Sequence, residues 1–571
     1  FSRDPIYASD RDFSANADLR SQLPADWAAN ATASAGFNNT SITSAWGVFD
    51  KFAAGNILVN GTAVTNAAGQ FHIQPSAIAG CAPTGALTAD TCIGTTSTRP
   101  QGTRYNVNED ATVTNGVDRI NLFSFFNQDI SDSLELFAEA GVYLADSVGY
   151  REVAPMLGAV PIVIPSTNYY NPFGAVGSAN RLPGYTGPAL DLYLGSAPGA
   201  GTAAYRPIDV GPRKTEVENL STRLLVGLRG DFADWNWESG LLYSEASTKD
   251  REKRVSNTLF QQALGRATPD AYNPFNGGCV GDLASGDCTR NPRSVIDTFL
   301  VPVTRNSNTS LASWDFKLSR PDLFTLWAGD VGAAIGVETR RETYSDDRDL
   351  RQDGTIQFTD AISGLTSNDL QGNSASRDTR GSTTVQSGYI ELQVPLVSND
   401  MAIPLVHAID MQLAARYEHF DTFGDVTKPK IALSWRPFDF LLFRSAWSEG
   451  FRAPNLQQQN ETGLQRINNR TDLIFCEADL RAGRITQAQF TTTCPTRPQT
   501  GVTSNRQGSQ ALQPEESTNL SYGFALESTF MPEEWGKVSF TADWWRIEQE
   551  KVVGIFGDDN HILLDYVLRL N

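Results

Sequence analysis

The chain of 571 residues lacks the features that define several large classes of protein. It contains no run of 18 or more apolar residues, which excludes a membrane-spanning helix. Its formal net charge is −19, so it lacks the basic surface that a nucleic-acid partner requires, and we expect no such partner. No signal peptide is visible at Phe1, where the sequence opens in mid-pattern, and we therefore expect a processed or truncated chain.

Residues that build catalytic and metal sites are also scarce. The chain has four histidines, and none stands at metal-ligand spacing. No glycine-rich phosphate loop follows a strand and precedes a helix. Four aspartates cluster without the spacing of a calcium-binding loop, so we interpret them as a solvated acidic segment: Asp346, Asp347, Asp349 and Asp353. The sequence predicts no enzyme, no catalytic residue, no metal and no cofactor.

The six cysteines fall into three local pairs, and none of the pairs has the Cys-x-x-Cys spacing of zinc or redox sites. Close pairs that are far from one another indicate small loops closed by disulfides, which form in an oxidising compartment. Six unrelated free thiols are the alternative. The predicted disulfides join Cys81 with Cys92, Cys279 with Cys288, and Cys476 with Cys494.

The chain is rich in segments where apolar and polar residues strictly alternate, which is typical of a strand with one apolar face. The residues from Ile409 to Tyr417 are the clearest case. Each segment has about ten residues, which at a tilt near 40° span about 25 Å, the height of an outer-membrane apolar band. About twelve strands are predicted, near 119–128, 134–142, 222–230, 235–244, 311–319, 331–341, 386–394, 409–417, 429–436, 440–449, 519–527 and 538–544.

Short and long connections alternate between these predicted strands. Because antiparallel neighbours place successive connections at opposite ends, one end carries turns and the other carries long loops, as in outer-membrane barrels. The modest connection at 420–427 is the exception. Loops of this length are normally functional or disordered, and we expect the ligand to bind there, although no individual ligand residue can be read. The predicted binding loops are 145–219, 246–310, 342–384 and 450–515.

Several motifs occur in an order that resembles the barrel of TonB-dependent receptors. The clearest stretch is 416–456, which contains Trp-x-Pro at Trp435 and Gly-Phe-Arg-Ala-Pro from Gly450. Leu-x-Pro-Glu-x-Ser-x-Asn follows at 512–519. Two Tyr-Asn-Pro-Phe motifs, at 170–173 and 272–275, resemble turns with a buried aromatic anchor. Together the similar stretches span roughly 110–555.

The resemblance implies an all-β fold, a large antiparallel transmembrane β-barrel that has 22 strands in the family, with long extracellular loops. About twelve strands are visible here, and neither the N-terminal plug nor the C-terminal strands are. We therefore interpret residues 1–117 as a long extracellular loop region after a missing upstream strand. Residues 118–571 are interpreted as a partial barrel. Lumen-facing charges such as Glu391, Arg416 and Arg444 are expected to pair with each other or with the plug.

The function implied by the resemblance is uptake of a scarce small molecule across the outer membrane of a Gram-negative bacterium. The implied partners are the TonB energy-transducing complex, reached through the missing plug, and outer-membrane lipid and lipopolysaccharide. The substrate stays open between iron chelates, carbohydrates, peptides and cobalamin-like molecules. A passive porin or an adhesin-type barrel is the first alternative, and a soluble all-β binding protein is the second.

Overall fold

The computed structural model describes residues 1–28, 35–51, 53–96, 100–156, 162–194, 205–277, 290–360, 364, 366–468, 470–493, 502–528 and 532–570. Long β-strands make up the largest part of the molecule. Within the described residues, no helix has both the length and the apolar character needed to cross a membrane.

Twelve long strands form the main sheet. In chain order they are β1 (Gly116–Ser131), β2 (Leu134–Arg151), β3 (Arg213–Phe232), β4 (Trp235–Val255), β5 (Leu300–Leu326), β6 (Gly329–Arg348), β7 (Thr379–Val397), β8 (Ala408–Phe420), β9 (Gly424–Phe438), β10 (Leu441–Arg452), β11 (Glu515–Glu527) and β12 (Ser539–Glu550). Each strand pairs antiparallel with the next, and Ser2–Arg3 pairs with β1 as a thirteenth strand. The predicted antiparallel sheet of about twelve strands is confirmed, and the sheet is open between Ser2–Arg3 and β12.

The two faces of this sheet differ sharply in polarity. Leu224 is 51% exposed and pairs across the ladder with Tyr243, while Leu241 is 62% exposed and pairs with Trp314. Many of the alternate residues, such as Arg223, are polar or charged, although Leu225 and Leu242 lie on the same face. Exposed leucine and aromatic rows along neighbouring strands are typical of a sheet whose apolar face contacts lipid. We refer to these as the apolar face and the polar face.

Many of the strands are much longer than the ten residues predicted. β5 has 27 residues and β4 has 21. The part of β4 from Lys249 to Arg254 is polar on both faces, so the alternation that revealed the strand disappears there although the pairing continues. The predicted loops are correspondingly too wide, and the observed long connections are 152–212, 256–299, 349–378 and 453–514.

At the opposite end, which we term the turn end, several connections are tight. Ala233 and Asp234 join β3 to β4, and both have positive φ values, +48° and +65°. Two successive residues with positive φ match the twist of a two-residue hairpin turn. The connection between β8 and β9, at the loop end, has three residues, 421–423, and is shorter than predicted because both strands extend into it.

Parts of the long connections fold into a body of their own, which we call the loop module: the described residues of 4–115, 152–212, 256–299 and 349–378. Its largest element is a six-stranded sheet in the order Ile162–Ile164, Leu192–Leu194, Val48–Asp50, Gln70–Pro75, Thr91–Gly94 and Cys81–Ala86. Smaller pairs join Ile6–Tyr7 to Thr112–Thr114, Leu58–Val59 to Thr62–Ala63, and Gln357–Thr359 to Thr366–Asn368. The described part of region 1–117 therefore contains regular secondary structure, and the predicted boundary at 118 lies two residues inside β1.

The main hydrophobic core lies in the loop module and not in the wall. It is built around aromatic side chains contributed by three connections, with Phe49, Phe173 and Phe260 fully buried. Phe49 stacks on Phe71 at 5.1 Å and on Phe275 at 4.8 Å between ring centroids. Because burial of one such side chain contributes about 1.5 to 3 kcal/mol, this core stabilises the module as a soluble domain is stabilised.

The helices are short and lie outside the wall. They span Asp12–Ala15, Ala25–Ala28, Asn257–Leu264, Arg293–Ile296, Leu456–Asn460, Leu473–Arg481, Gln487–Thr493 and Asp558–Leu570. The connection 453–514 also contains a hairpin of Leu464–Asn468 and Val502–Arg506. It joins the neighbouring connection through main-chain hydrogen bonds, including Arg377 N–H to the Gly463 carbonyl at 3.1 Å.

Candidate functional site

Arg206 links the segments 4–115 and 152–212 of the loop module. Its guanidinium is buried and donates to the carbonyl oxygens of Val153 and Thr43, at 2.5 and 3.3 Å, and to the Thr43 hydroxyl at 3.1 Å. It also lies 5.3 Å from the ring centroid of Tyr105. Burial lowers the pKa of Arg206, and Glu152 at 3.9 Å opposes that shift. A planar fork of five donors suits this set of acceptors.

Asp209 links the segment 152–212 of the loop module to the segment 256–299. It accepts hydrogen bonds from the Tyr272 hydroxyl at 2.8 Å and from Asn291 Nδ2 at 2.7 Å. Since the Tyr272 hydrogen points to Asp209, the Tyr205 hydroxyl donates to Tyr272, at 2.8 Å. Burial raises the pKa of Asp209, and the bonds from Asn291 and Tyr272 oppose the rise. Burial and the nearby carboxylate hold the pKa of Tyr272 well above its ordinary value.

Asp369 links the segment 349–378 of the loop module to the segment 256–299. It accepts from the Ser256 hydroxyl at 2.7 Å and from the Thr258 amide at 2.8 Å, and Arg351 donates to it at 3.1 Å. Ser256 is also the N-cap of the helix Asn257–Leu264. The four segments of the loop module therefore form one hydrogen-bonded body, although the sequence showed only separate polar loops.

The two Tyr-Asn-Pro-Phe motifs adopt the same local structure. In each, the asparagine side-chain oxygen accepts from the phenylalanine amide two residues later, at 2.8 Å for Asn171 and 2.9 Å for Asn273. This turn sends Phe173 and Phe275 into the core, where they are 0% and 5% exposed. The interpretation of these motifs as turns with a buried aromatic anchor is confirmed.

The predicted disulfides have three different outcomes. Cys81 and Cys92 are bonded, with their Cα atoms 5.7 Å apart, and close a small hairpin of the loop module. Cys476 is buried and disulfide-bonded, while Cys494 lies outside the described residues. Cys279 and Cys288 also lie outside the described residues, so their pairing stays a prediction.

Of the four aspartates interpreted as a solvated acidic segment, Asp347 is exposed and Asp349 and Asp353 are partly exposed, but Asp346 is not solvated. Asp346 is buried at the end of β6, where Arg305 and Arg348 donate to it at 2.6 and 2.7 Å. In the part of the chain that is described, no group of three or more His, Cys, Asp or Glu side chains is arranged to hold a metal ion.

Charged side chains on the polar face of the wall neutralise one another. Arg340 contacts Glu338, Glu342 and Glu418 at 3.2, 3.1 and 3.3 Å. Arg416 contacts Glu338 at 2.9 Å and Glu418 at 2.6 Å. The expected pairing of charges on this face is therefore observed.

Of the two other charges named from the sequence, Arg444 is in an ion pair, whereas Glu391 is hydrogen-bonded to a neutral amide. Arg444 binds Asp543 through Nε at 2.8 Å, and Glu391 accepts from the Gln412 amide. Strand register explains the first pair, because Arg444 and Asp543 both lie opposite Gly523 of the strand between them.

A cavity of about 820 Å³ lies on the polar face towards the long connections. Its walls include Tyr143, Arg340 and Phe420, and the segment 453–459 borders it. Two buried polar atoms at its surface, Oε1 of Gln459 and Oγ1 of Thr422, make no hydrogen bond within the described residues. A buried polar atom without a partner costs about 1 to 3 kcal/mol, so a bound hydroxyl or amide would be stabilised here.

Local sequence explains how the segment beside this cavity is held. Asn455 and Gln458 form a capping box, in which each side chain accepts from the other residue's amide, at 2.7 and 2.9 Å. A Cβ at Gly381 would lie 2.3 Å from Nδ2 of Asn460, so glycine permits the helix Leu456–Asn460 to approach β7. The capping signal at 455–458 was readable in the sequence, but the inward direction of Gln459 was not.

Comparison with known proteins identifies the wall. The family described as "TonB dependent receptor-like, beta-barrel" matches residues 165–562, well over half of the chain. The chain belongs to this family of TonB-dependent receptors. The resemblance seen in the sequence is confirmed, and with it the assignment of the main sheet to an antiparallel transmembrane barrel, with the apolar face towards lipid and the polar face towards the lumen.

Solved structures of receptors and importers are similar to this chain at low sequence identity. The siderophore receptor PirA of Acinetobacter baumannii is 12% identical, with 76% of this chain and 44% of PirA covered and a TM-score of 0.38. A mutant of the ferric enterobactin receptor PfeA of Pseudomonas aeruginosa is 13% identical, with 77% and 43% covered and a TM-score of 0.38. The RagAB peptide importer is 11% identical, with 76% and 41% covered and a TM-score of 0.38.

The chain thus spans less than half the length of these structural neighbours. No curated protein matches the sequence. TonB-dependent receptors are outer-membrane proteins of Gram-negative bacteria that act as receptors and transporters, and the chain carries the wall and loops of such a protein.

Proposed function

We propose that this chain supplies much of the wall and the extracellular binding surface of an outer-membrane receptor that imports a scarce small molecule by TonB-coupled transport. The cavity of about 820 Å³ carries the proposal, because it presents unpartnered polar atoms on the lumen face beside the long connections. The TonB energy-transducing complex, reached through a plug, and outer-membrane lipid and lipopolysaccharide are the proposed partners. The proposed location is the outer membrane of a Gram-negative bacterium, and no enzymatic step is proposed.

The charge balance of the cavity favours a polar solute of low net charge. Arg340 is surrounded by three carboxylates, and Arg223 is paired with Glu139. These cations are already neutralised, so an anionic ligand would have to displace a carboxylate. What the cavity offers instead are hydroxyls, amides and the rings of Tyr143 and Phe420, which suit a carbohydrate or a neutral peptide.

Uptake in cells that express the full-length protein tests this proposal. We would supply labelled oligosaccharides, oligopeptides and ferric chelates, with and without TonB and with and without a protonophore. We expect one neutral polar class to accumulate and accumulation to stop when TonB or the proton gradient is removed. Equal, TonB-independent entry of all three classes would contradict the proposal and indicate a passive porin.

Matched variants connect uptake to the cavity. Gln459→Ala removes a buried amide that faces the cavity, and we expect it to weaken solute binding about tenfold. Gln513→Ala removes an exposed amide outside the cavity and should bind as the unmodified protein does. Equal affinities for the two variants would show that the solute binds elsewhere.

A further inference from the structure

The wall has a notch at its loop end, between β3 and β4. The two strands pair from the turn at Phe232 and Trp235 up to Thr215 and Glu252, where their pairing stops. Both strands continue beyond this point on their other edges. β3 pairs with β2 as far as Arg213, and β4 pairs with β5 as far as Val255. The ladder therefore opens between the last residues of β3 and β4, and a cavity of about 490 Å³ occupies the opening.

Basic side chains surround this notch. The charged lining residues are six cations and two carboxylates: Arg213, Lys214, Arg251, Lys253, Arg254, Arg293, Glu216 and Glu252. The chain as a whole carries a net charge of −19, so the local excess of positive charge runs against the overall balance. Like charges gathered in one cleft repel each other and raise the local concentration of anions.

Three of the six cations have their own carboxylate. Arg251 contacts Glu218 at 2.5 Å, and Lys214 contacts Glu216. Arg293 contacts Asp297 at 2.9 Å. These pairs are exposed and leave no net charge.

Two of the other three cations, Arg213 and Arg254, share one carboxylate. Glu252 lies 2.8 Å from Arg254 and 3.5 Å from Arg213, and the buried Nε of Arg213 makes no hydrogen bond within the described residues. Lys253 is exposed and has no carboxylate within salt-bridge distance in the described part of the chain. Two positive charges are therefore left over at the notch. Arg151, opposite Arg213 in the β2–β3 ladder, adds a further cation, and the neighbouring carboxylate of Glu152 offsets it.

We propose that this notch binds a phosphate group, such as a phosphate monoester. A phosphate monoester carries about −1.5 to −2 charges at pH 7, which matches the uncompensated charge at the notch. Its oxygens accept from several donors at once, and arginine suits phosphate because its fork can bind two oxygens together. The site lies where the wall meets the loop module, whose residues Val153, Gly211 and Gln371 also line it, and it is separate from the lumen cavity assigned to the imported solute.

The height of the notch limits the source of the phosphate. Leu220 is the last exposed large apolar residue of β3 towards the loop end, and it pairs with Ser247. Lys253 lies six residues further along β4, which corresponds to about 20 Å of strand. The notch is therefore above the apolar band, within reach of a dissolved phosphate ester or of a sugar phosphate on an outer-leaflet glycolipid.

Two binding measurements on the full-length protein in detergent test the proposal. The first titrates glucose 6-phosphate, with glucose as the uncharged control. The second quantifies phosphate-bearing glycolipid that copurifies with the protein, by mass spectrometry. Lys253→Gln removes an exposed cation at the notch, and Lys249→Gln makes the same charge change on the same strand outside it. Near-ultraviolet circular dichroism verifies that both variants are folded.

We expect Lys253→Gln to weaken phosphate binding about tenfold, or to reduce copurified glycolipid to a similar degree, while Lys249→Gln stays within about twofold. Binding of glucose 6-phosphate alone identifies a dissolved ester, and retention of glycolipid alone identifies a membrane source. The proposal is overturned if neither phosphate binds or if both variants weaken binding equally. Transport is not measured, so failure here leaves the proposed import untouched.

Discussion

The Tyr272 hydroxyl donates to Oδ1 of Asp209 at 2.8 Å and so joins two connections that β3 and β4 separate in the chain. The pair is buried, and Asn291 donates to the other oxygen of Asp209. This arrangement places a carboxylate at the seam of the loop module. The stability of the module therefore depends on the protonation of one buried acid.

We expect the loop module to lose stability as the pH rises through the folded-state pKa of Asp209. Burial raises that pKa above its ordinary value of 3.8, so the folded module binds the proton more tightly than the unfolded chain does. The contribution of Asp209 is fully present below pH 3.8 and is lost at higher pH. Hydrogen exchange of amides in 256–277, measured against pH, reports this opening.

The matched variant for this measurement is Asp209→Asn, which cannot titrate. The variant's loop module should be less stable at every pH, because an amide nitrogen then faces the donors of Asn291. Its stability should also change less with pH, because the group that titrates at this position is gone. An unchanged pH profile in the variant would show that other groups set the dependence.

Replacing Arg206 should weaken the contact between the segments 4–115 and 152–212 of the loop module. Arg206→Ala leaves several buried acceptors without a donor, and we expect the free energy of module opening to fall by roughly 3 to 5 kcal/mol. Arg206→Lys keeps the charge but cannot reach the same acceptors, so it should rescue only part of the loss. Limited proteolysis between 4 and 115 measures the opening. Full rescue by lysine would mean that charge alone matters.

The buried ring of Phe173 should contribute far more to the free energy of unfolding of the module than an exposed ring of the same type. Phe173→Ala leaves a cavity in a packed core and should destabilise the module by about 3 to 5 kcal/mol. Phe13→Ala, at a side chain that is 67% exposed in the same module, should cost little. Urea unfolding followed by tryptophan fluorescence, to which the buried Trp46 contributes, compares the two variants.

The Cys81–Cys92 disulfide should stabilise the module by limiting its unfolded states. The two cysteines are 11 residues apart, and a closed loop of that size is worth about 3 kcal/mol. We expect the double variant Cys81→Ser, Cys92→Ser to have a free energy of unfolding that is lower by that amount, and therefore to unfold at a lower urea concentration. Reduction of the unmodified protein should reproduce the shift, and a shift only on reduction would assign the effect to another cysteine pair.

The wall could be predicted from the sequence because lipid imposes a simple rule on it. Alternate residues of a strand such as β8 are apolar, so Met411, Leu413 and Tyr417 revealed both the strand and its apolar face. The rule ends where the strand leaves the membrane, and for that reason the extensions of β4 and β5 were missed. The pairing of Arg416 and Arg444 with nearby carboxylates followed from the same alternation.

The loop module and the cavity could not be predicted in the same way. The core contact between Phe49 and Phe275 joins residues from different connections, and no local pattern encodes such a pairing. Arg206 and Asp209 looked like ordinary loop charges, because their burial depends on three connections meeting. The direction of Gln459 depends on a helix of five residues whose position is set by its approach to β7.

The interleaving of the six-stranded sheet imposes an order on biogenesis. Val48–Asp50 lies between Leu192–Leu194, which follows the first hairpin of the wall, and Gln70–Pro75, which precedes it. Because a hairpin returns the chain to the end from which it left, the sheet is completed only after that hairpin has brought the following connection back beside the segment 4–115. The sheet is therefore a late product of folding, because its central strands come from two parts of the chain that only the completed hairpin brings together.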